Sequence, residues 1–216
     1  MKYTHVFFDL DGTLIDSSEG ITRSVQYALE RMGFDVPPKS ELLGFIGPPL
    51  LWGFSELCGM NPEQARHAVT LYRERYSKIG VLECALYDGI QALLHRLCEA
   101  GVVCVLATCK PHLFASRILE HLGVSDCFAF VSGPELDGTR NEKHEVIAYA
   151  MENLNISSPD AVLMVGDRRD DVVGAKKCNM NCVGVEWGFG TREELEAAGA
   201  VQVIQKPSEL LNFFEN

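Results

Sequence analysis

The sequence predicts an α/β fold, a doubly wound parallel sheet into which an all-helical domain is inserted. Three observations support this prediction. An apolar strand lies near the start of the chain, at residues 6–8. Residues 16–82 show only helical periodicity, whereas residues 83–216 alternate between apolar segments of strand length and amphipathic helices. Because such alternation is typical of parallel sheets with right-handed crossovers, we expect a sheet core of residues 1–15 and 83–216.

The first strand is followed by two closely spaced carboxylates. Asp9 and Asp11 come directly after the apolar run, and Gly12 and Thr13 end the strand. A solvated turn is one interpretation of these residues. However, charge beside a buried strand is costly, and like charges so close together suggest a divalent cation. We therefore hypothesise that Asp9 is a nucleophile and that Asp11 transfers protons beside Mg²⁺.

The inserted block contains two long amphipathic helices. The first is predicted over residues 16–32, with Asp16 as its cap and Gly33 at its end. The second begins with a capping pattern at Asn61 and keeps its apolar spacing as far as Gly80. Proline and glycine divide the sequence between them into short segments. The block therefore predicts a helical domain without strands.

The remaining sequence predicts the elements of the sheet in order. Apolar runs of strand length occur at residues 102–107, 128–131, 161–165, 182–186 and 201–204. Amphipathic spacing predicts helices at residues 88–100, 111–122, 142–153, 171–178, 192–198 and from Pro207. Each strand is thus followed by a helix, which brings the carboxyl ends of all strands to one edge of the sheet.

Composition limits the partners and the compartment. The formal net charge is −11 and the basic residues are scattered, which argues against nucleic acid or an anionic membrane as a partner. Asp9 and Asp11 interrupt the N-terminal apolar run, so it does not resemble a signal peptide, and no run is long enough to span a bilayer. Eight cysteines without a CxxC pair favour free thiols over zinc or disulfides. We expect a cytoplasmic protein, either a monomer or a weak dimer.

Polar residues at the predicted sheet edge are suited to phosphate chemistry. Ligands bind beyond the carboxyl ends of parallel strands, and Asp9, Thr108 and Asp167 each follow such a strand. Thr108 offers a hydroxyl group, although it could equally cap the next helix. Lys143 lies in the first turn of a helix, where the dipole disfavours a cation. A solvated surface lysine would explain this placement, and so would a nearby anion.

The order of these motifs resembles the haloacid dehalogenase (HAD) superfamily over essentially the whole chain. The resemblance rests on four motifs, Asp9-Leu10-Asp11-Gly12-Thr13-Leu14, Thr108, Lys143 and Gly166-Asp167 to Asp171. It implies a Rossmann-like core, and the helical block 16–82 resembles the C1 cap of that superfamily. The chain is most similar to the phosphoglycolate phosphatase and β-phosphoglucomutase branch. Three further segments resemble bacterial 5′-nucleotidase-like members, namely residues 45–50, 136–140 and 187–190.

The resemblance implies a role for each motif residue in phosphate ester hydrolysis. Asp9 would attack phosphorus and form an aspartyl-phosphate, and Asp11 would act as acid and then as base. Thr108 and Lys143 would bind the phosphoryl oxygens. The metal would be Mg²⁺, held by Asp9, Asp167 and the Asp11 backbone carbonyl, with support from Asp171. Spacing selects Asp171 over Asp170 for that supporting role.

The substrate is expected to be a small phosphorylated metabolite, in particular a nucleoside 5′-monophosphate. Trp187 follows a strand at the active edge, so its ring could stack on a base opposite Phe45 of the cap. Alternatively, these rings simply close the core or the cap. The residues expected to bind substrate are Gly12, Thr13, Cys109, Lys110, Phe45, Gly47 and Trp187.

Other functions remain compatible with the motifs. Phosphoglycolate phosphatases and phosphomutases of the same branch use the same residues. A phospho-accepting receiver domain combines acids with Thr and Lys, but it is shorter and places its acceptor on a middle strand. A catalytically silent metabolite-binding protein would not require the intact set of acids. We therefore expect an enzyme, a phosphoric monoester hydrolase.

Overall fold

The computed structural model describes residues 3–214. The strands within this part of the chain are β1 (His5–Phe8), β2 (Ile15–Asp16), β3 (Ala85–Leu86), β4 (Val103–Ala107), β5 (Phe128–Ser132), β6 (Val162–Gly166), β7 (Asn181–Val185) and β8 (Gln202–Ile204). Six of them form one sheet in the order β5-β4-β1-β6-β7-β8, in which all neighbours are parallel. The predicted doubly wound parallel sheet is confirmed. Strands β2 and β3 form a two-stranded sheet of their own.

The first strand of the sequence lies in the middle of the sheet. β1 pairs with β4 on one side and with β6 on the other, and Phe8 lies opposite Leu106 and Val165. The residues that follow these three strands therefore leave the sheet side by side at its carboxyl edge. Strand order thus brings together the ends of strands that finish at Phe8, Ala107 and Gly166.

Two compact units make up the chain. One comprises Ser17–Ala85, and the other comprises the residues up to Asp16 together with those from Leu86 onward. The first unit therefore begins one residue later and ends three residues later than the predicted insertion 16–82. Its helices are α1 (Ser18–Met32), α2 (Leu50–Trp52, continued by a π-helical turn over Gly53–Leu57) and α3 (Pro62–Tyr76), and α1 packs against α3.

One of the two predicted helix caps in this unit is correct. Asn61 accepts hydrogen bonds from the backbone N–H groups of Glu63 and Gln64, and its own N–H donates to the Gln64 side chain at 3.1 Å. The predicted Asp16 cap is wrong. Asp16 belongs to β2, and the position before α1 is occupied by Ser17, whose side chain makes no capping bond. After β1 the chain forms the short strand β2, and α1 begins only after that strand.

The helices of the sheet unit surround a continuous apolar core. They are α4 (Ile90–Glu99), α5 (His112–His121), α6 (Lys143–Asn153), α7 (Arg169–Lys177) and α8 (Arg192–Ala198). Phe7 and Met164, on the two central strands, are fully buried in one cluster with apolar residues of α6, α7 and α8. The last predicted helix is a 3-10 helix over Pro207–Phe213. This packing fixes the starts of α6 and α7 against the sheet.

Two further observations concern the cysteines and the length of the helices. All eight cysteines are free thiols. Among residues 3–214, no helix is both long enough and apolar enough to cross a membrane.

Candidate active site

Asp9 occupies the end of the central strand. Its backbone N–H donates to the Val165 carbonyl at 3.0 Å, which continues the pairing of β1 with β6 by one residue. Its carboxylate is buried, with 8% of the residue exposed. The neighbouring strand β6 ends at Gly166 and is followed by Asp167, which is fully buried. The first and fourth sequence motifs therefore meet at this edge.

Three buried carboxylates form a compact cluster at the edge. Asp9, Asp167 and Asp171 each place a carboxylate oxygen within 4.8 Å of the other two. Burial and the Asp171 carboxylate raise the pKa of Asp167 to about 8. Burial also raises the pKa of Asp9 to about 6, although the Lys143 ammonium group opposes this shift. Negative charge is thus concentrated here beyond what the protein itself neutralises.

The cluster suits a small divalent cation. Mg²⁺ prefers carboxylate and carbonyl oxygens, and a protein site usually supplies only a few of them. Asp9 and Asp167 offer such oxygens from adjacent strand ends, and burial together with the neighbouring carboxylates raises their pKa values, so a bound cation would favour their charged forms. The residues present therefore fit the magnesium ion that the motifs imply.

Lys143 is the buried cation of the site. Its ammonium group donates to Asp9 at 2.6 Å and to the Ala107 carbonyl at 3.0 Å, and it lies 2.8 Å from Asp171. Burial disfavours its charge, but Asp171 and Asp9 outweigh that effect and hold the pKa of Lys143 well above its ordinary value. The interpretation of Lys143 as a solvated surface residue is therefore excluded by the structure.

Backbone groups and glycines hold Asp167 in place. Its carboxylate accepts a hydrogen bond from the Phe189 N–H at 2.8 Å and another from the Thr13 hydroxyl at 3.3 Å. Gly12 has a φ of 84°, and a Cβ atom there would lie 2.1 Å from an Asp167 oxygen. At Gly188, a Cβ atom would lie 2.4 Å from the Asp167 Cβ. Only glycine lets these two loops approach the carboxylate so closely.

Asp171, and not Asp170, belongs to the cluster. Asp171 is buried on α7, and its second oxygen accepts a hydrogen bond from the Arg168 N–H at 3.0 Å. Asp170 is exposed on the same helix. The structure therefore places Asp171, the residue selected by the GDxxxD spacing, in the carboxylate cluster and in contact with Lys143.

The second motif lies on the other side of Asp9. Thr108 is buried after β4, and its N–H donates to the Ser132 carbonyl at 3.0 Å. Its hydroxyl accepts a hydrogen bond from the Lys110 N–H at 3.1 Å. The Lys110 ammonium group in turn contacts both oxygens of Asp11, at 2.6 and 2.9 Å. The side chain of Lys110 therefore reaches Asp11, the proton-transferring acid predicted from the sequence.

The remaining residues expected to bind substrate have different environments. Burial raises the pKa of Cys109 to about 11, which keeps this half-buried thiol neutral at physiological pH. The Trp187 indole N–H donates to the Thr13 carbonyl at 3.0 Å, so this half-buried ring is tied to the loop after β1. Thr13 itself donates to Asp167, which makes it a support of the carboxylate cluster.

Phe45 and Gly47 belong to the helical unit. Phe45 is only 3% exposed, and its ring packs edge-on against Phe54 with the ring centroids 5.0 Å apart. Gly53 makes room for it, since a Cβ atom there would lie 2.7 Å from the Phe45 ring. This packing agrees with the alternative in which the Phe45 ring closes the helical unit, and it leaves little of the ring available for stacking on a base. Gly47 has a φ of 102° and supplies a turn that other residues adopt rarely.

Sequence reasoning missed four contributors to the site. The Ala107 carbonyl and the Phe189 N–H are backbone groups, which no residue type reveals. Gly174 of α7 was missed too: a Cβ atom there would lie 2.5 Å from the Lys143 Cγ, so the glycine makes room for the lysine. The contact between Lys110 and Asp11 was also unforeseen. For Gly174 the sequence offered one clue, namely that a glycine lies inside a predicted helix.

Comparison with known proteins identifies the family to which the chain is similar. The model of the haloacid dehalogenase-like hydrolase family matches residues 6–185. A 5′-nucleotidase from Pseudomonas aeruginosa is 43% identical over 91% of this chain and 89% of its own length. Tyrosine-protein kinase PtkA from Mycobacterium tuberculosis is 38% identical over 92% of this chain and 67% of its own length. A phosphoglycolate phosphatase from Colwellia psychrerythraea is 28% identical over 95% of this chain and 94% of its own length.

Solved structures show the same relationship. The crystal structure of a predicted phosphatase from Clostridium acetobutylicum superimposes with a TM-score of 0.92 at 44% identity. The match covers 99% of this chain and 98% of the other chain. The family match spans every motif residue at the sheet edge, from Asp9 to Asp171. The chain therefore belongs to the haloacid dehalogenase-like hydrolase family and is one of its phosphatases.

Proposed function

We propose that this phosphatase hydrolyses phosphate monoesters through an aspartyl-phosphate on Asp9 and depends on Mg²⁺. One observation carries the proposal: the buried Asp9 carboxylate contacts the Lys143 ammonium group at 2.6 Å and lies within 4.8 Å of the Asp167 and Asp171 carboxylates, with which it could hold a cation. A phosphoryl group bound next to Asp9 would meet the positive charge of Lys143 and of the bound ion. This arrangement offsets the charge of a phosphate ester as it reaches the nucleophile.

The proposed reaction has two balanced steps. In the first, an Asp9 oxygen attacks phosphorus, and the bond between phosphorus and the ester oxygen breaks. The departing oxygen keeps the electron pair and takes a proton from Asp11. In the second, water gives a proton to Asp11 and its oxygen attacks phosphorus, while the bond between phosphorus and the Asp9 oxygen breaks and its electron pair returns to the Asp9 carboxylate, which releases inorganic phosphate. One water molecule is consumed in each cycle.

The other motif residues bind the phosphoryl oxygens and the ion. Lys143, which contacts Asp9, would supply positive charge, and the buried Thr108 at the end of the neighbouring strand β4 would supply a hydroxyl group. Asp9, Asp167 and the Asp11 backbone carbonyl would hold Mg²⁺, which supplies Lewis-acid stabilisation of the phosphoryl charge when bound. Asp171 supports the site by fixing Lys143.

The preferred substrate in this proposal is a nucleoside 5′-monophosphate. The support is the 5′-nucleotidase relative, which shares 43% identity over nearly the full length of both chains. The phosphoglycolate phosphatase relative is more distant, at 28% identity. We also propose that the unit Ser17–Ala85 acts as a C1 cap and selects the leaving group. Exchanging this unit for that of a relative is expected to change substrate preference while phosphate release continues.

Phosphate release from a panel of esters tests this proposal. The purified chain with Mg²⁺ would be given nucleoside 5′-monophosphates, phosphoglycolate, β-glucose 1-phosphate and a phosphotyrosine peptide. We expect the highest kcat/KM for a nucleoside monophosphate. A preference for phosphoglycolate would contradict the nucleotidase assignment alone, and conversion of β-glucose 1-phosphate to glucose 6-phosphate would indicate a mutase. Absence of phosphate release from every ester would contradict the hydrolytic function.

A further inference from the structure

Asp11 is paired with a lysine from the second motif. The Lys110 ammonium group lies 2.6 Å from one Asp11 carboxylate oxygen and 2.9 Å from the other. Only 6% of the Lys110 side chain and 15% of the Asp11 side chain are exposed. An ion pair this protected from water is screened much less than a surface pair. The contact joins the loops that follow β1 and β4, 99 residues apart in sequence.

The backbone from which Lys110 extends is fixed. The Lys110 N–H donates to the Thr108 hydroxyl, and the Thr108 N–H donates to the Ser132 carbonyl. Gly133 packs against the same turn, because a Cβ atom there would lie 2.5 Å from the Lys110 carbonyl oxygen. The His112 N–H completes the connection with a bond of 2.9 Å to the Pro134 carbonyl. Lys110 therefore reaches Asp11 from a rigid base.

We propose that Lys110 is a positioning residue for Asp11. This inference rests on the proposed function, in which Asp11 exchanges a proton with the ester oxygen and then with water. Without a partner, the Asp11 side chain could occupy several rotamers. Contacts to both oxygens hold the carboxylate group in one orientation relative to the nucleophile, two residues away. Proton transfer requires such placement, because the donor must lie within hydrogen-bond reach of the reacting oxygen.

Steady-state kinetics can distinguish a positioning role of Lys110 from a direct role in substrate binding. If Lys110 positions Asp11, Lys110→Met should lower kcat and leave KM within about twofold, since interactions made only in the transition state act on kcat. The loss should not exceed that of Asp11→Asn, for which general acid–base catalysis typically accounts for about 10²–10⁴-fold. Lys110→Arg keeps a cation at this position and should recover part of the activity.

The leaving group provides a second readout. The nitrophenolate released from p-nitrophenyl phosphate is a weak base and needs little protonation, whereas the 5′-alkoxide of a nucleoside monophosphate needs a full proton. Lys110→Met and Asp11→Asn should therefore both slow the nucleoside ester much more than the nitrophenyl ester. Lys78→Met makes the same substitution at an exposed lysine of the helical unit and should leave both rates unchanged.

A double-mutant cycle decides between the two roles. If Lys110 acts through Asp11, the double variant Asp11→Asn/Lys110→Met should be no slower than Asp11→Asn alone. Multiplied losses, or a raised KM with unchanged kcat in Lys110→Met, would overturn the inference and assign Lys110 to substrate binding. Inactivity of the unmodified chain on both esters would instead contradict the proposed function.

The same four proteins provide a test that needs no activity. Lys110→Met leaves a largely buried carboxylate without its cation, so this variant should melt below the unmodified chain. The double variant removes that carboxylate charge and should melt higher than Lys110→Met. If the changes in melting temperature caused by the two single substitutions simply add in the double variant, the two residues are not coupled in solution. That result would also overturn the inference.

Discussion

Asp9 is the residue on which the proposed chemistry depends. Its carboxylate is buried at the end of the central strand, in contact with the Lys143 ammonium group and close to the Asp167 and Asp171 carboxylates. These neighbours act in opposite directions on its charge, and burial still raises the pKa of Asp9 to about 6. The Asp9 carboxylate therefore lies beside acids that could hold a cation and is largely excluded from bulk water. Both conditions favour a nucleophilic carboxylate.

Asp9→Asn should abolish phosphate release. The amide keeps the shape of the side chain but removes the nucleophilic oxygen and one negative charge from the cation site. We expect turnover of p-nitrophenyl phosphate to fall by more than about 10³-fold, as for other covalent nucleophiles. Asp170→Asn makes the same change at an exposed acid of α7 and serves as the control, with activity close to that of the unmodified chain. Near-normal turnover in Asp9→Asn would contradict the mechanism.

Asp167→Asn should stabilise the metal-free protein at pH 8. The pKa of Asp167 is about 8 in the folded chain and 3.8 in its ordinary state, so the folded state binds the extra proton between these values. The stability that this bound proton contributes to the folded state is present at low pH and is lost as the pH rises through 8. The variant should melt at least about 2 °C above the unmodified protein at pH 8, since 1 kcal/mol corresponds to about 2–4 °C for this length.

Thermal melts in EDTA at pH 5 and pH 8 would measure this difference. The melting temperature of the unmodified protein should decrease more steeply between the two pH values than that of Asp167→Asn. If the melting temperatures of the two proteins decrease equally between pH 5 and pH 8, the pKa of Asp167 is not raised in the metal-free fold. Stabilisation combined with loss of activity is the expected result for a residue retained for function.

At the scale of secondary structure, the site depends on the contact between α6 and α7. Lys143 begins α6, and Gly174 lies within α7 opposite its stem. Glycine normally destabilises a helix by about 1 kcal/mol relative to alanine. Its presence here is explained by the approach of the lysine, because a Cβ atom would lie 2.5 Å from the Lys143 Cγ and 3.2 Å from the His144 backbone nitrogen.

Gly174→Ala should therefore lower both activity and stability, the opposite of the usual effect of this substitution in a helix. The added methyl group must displace the base of the Lys143 side chain, which would move the ammonium group away from Asp9. We expect at least about a tenfold loss of kcat, equivalent to 1.4 kcal/mol of transition-state stabilisation. Circular dichroism melts and steady-state kinetics would measure the two effects. A more stable variant with normal kcat would contradict this account of α7.

At the scale of the whole molecule, an acidic protein must attract an acidic substrate. The net charge is −11, yet two buried lysines lie at one edge of the sheet, where Lys143 contacts Asp9 and Lys110 contacts Asp11. A bound divalent cation would add two further positive charges at this edge. The local field, and not the net charge, then determines whether a phosphate ester binds.

Binding of Mg²⁺ should consequently stabilise the folded chain. Saturation at 100 times the dissociation constant contributes about 2.7 kcal/mol, which corresponds to a rise in melting temperature of roughly 5–10 °C for this length. EDTA should reverse the shift. Asp167→Asn should largely lose the response, whereas Asp170→Asn should retain it. An equal response in both variants would place the ion elsewhere.

Much of this protein could be predicted from local sequence signals. Apolar runs and amphipathic spacing gave the strands and helices to within a few residues, because burial on one or both faces of an element leaves a periodic pattern. The capping pattern at Asn61 was equally local. The acids at 9 and 167 were recognisable because charge directly after a buried strand is costly and needs an explanation, whereas Asp171 was selected by the GDxxxD spacing of the family resemblance. These features depend on neighbours in sequence, so the sequence by itself determined them.

Other features were decided only by the tertiary structure. The pairing of Lys110 with Asp11 depends on how distant segments pack, and the burial of Phe45 against Phe54 depends on how the chain folds back within the helical unit. So do the backbone bonds of Phe189 and Ala107 to the site. Side-chain type sets what a group can bind, but strand order and helix packing set which groups lie within 3 Å of one another. For that reason the sequence determined the chemistry available at the sheet edge, and the fold decided which residue assists which.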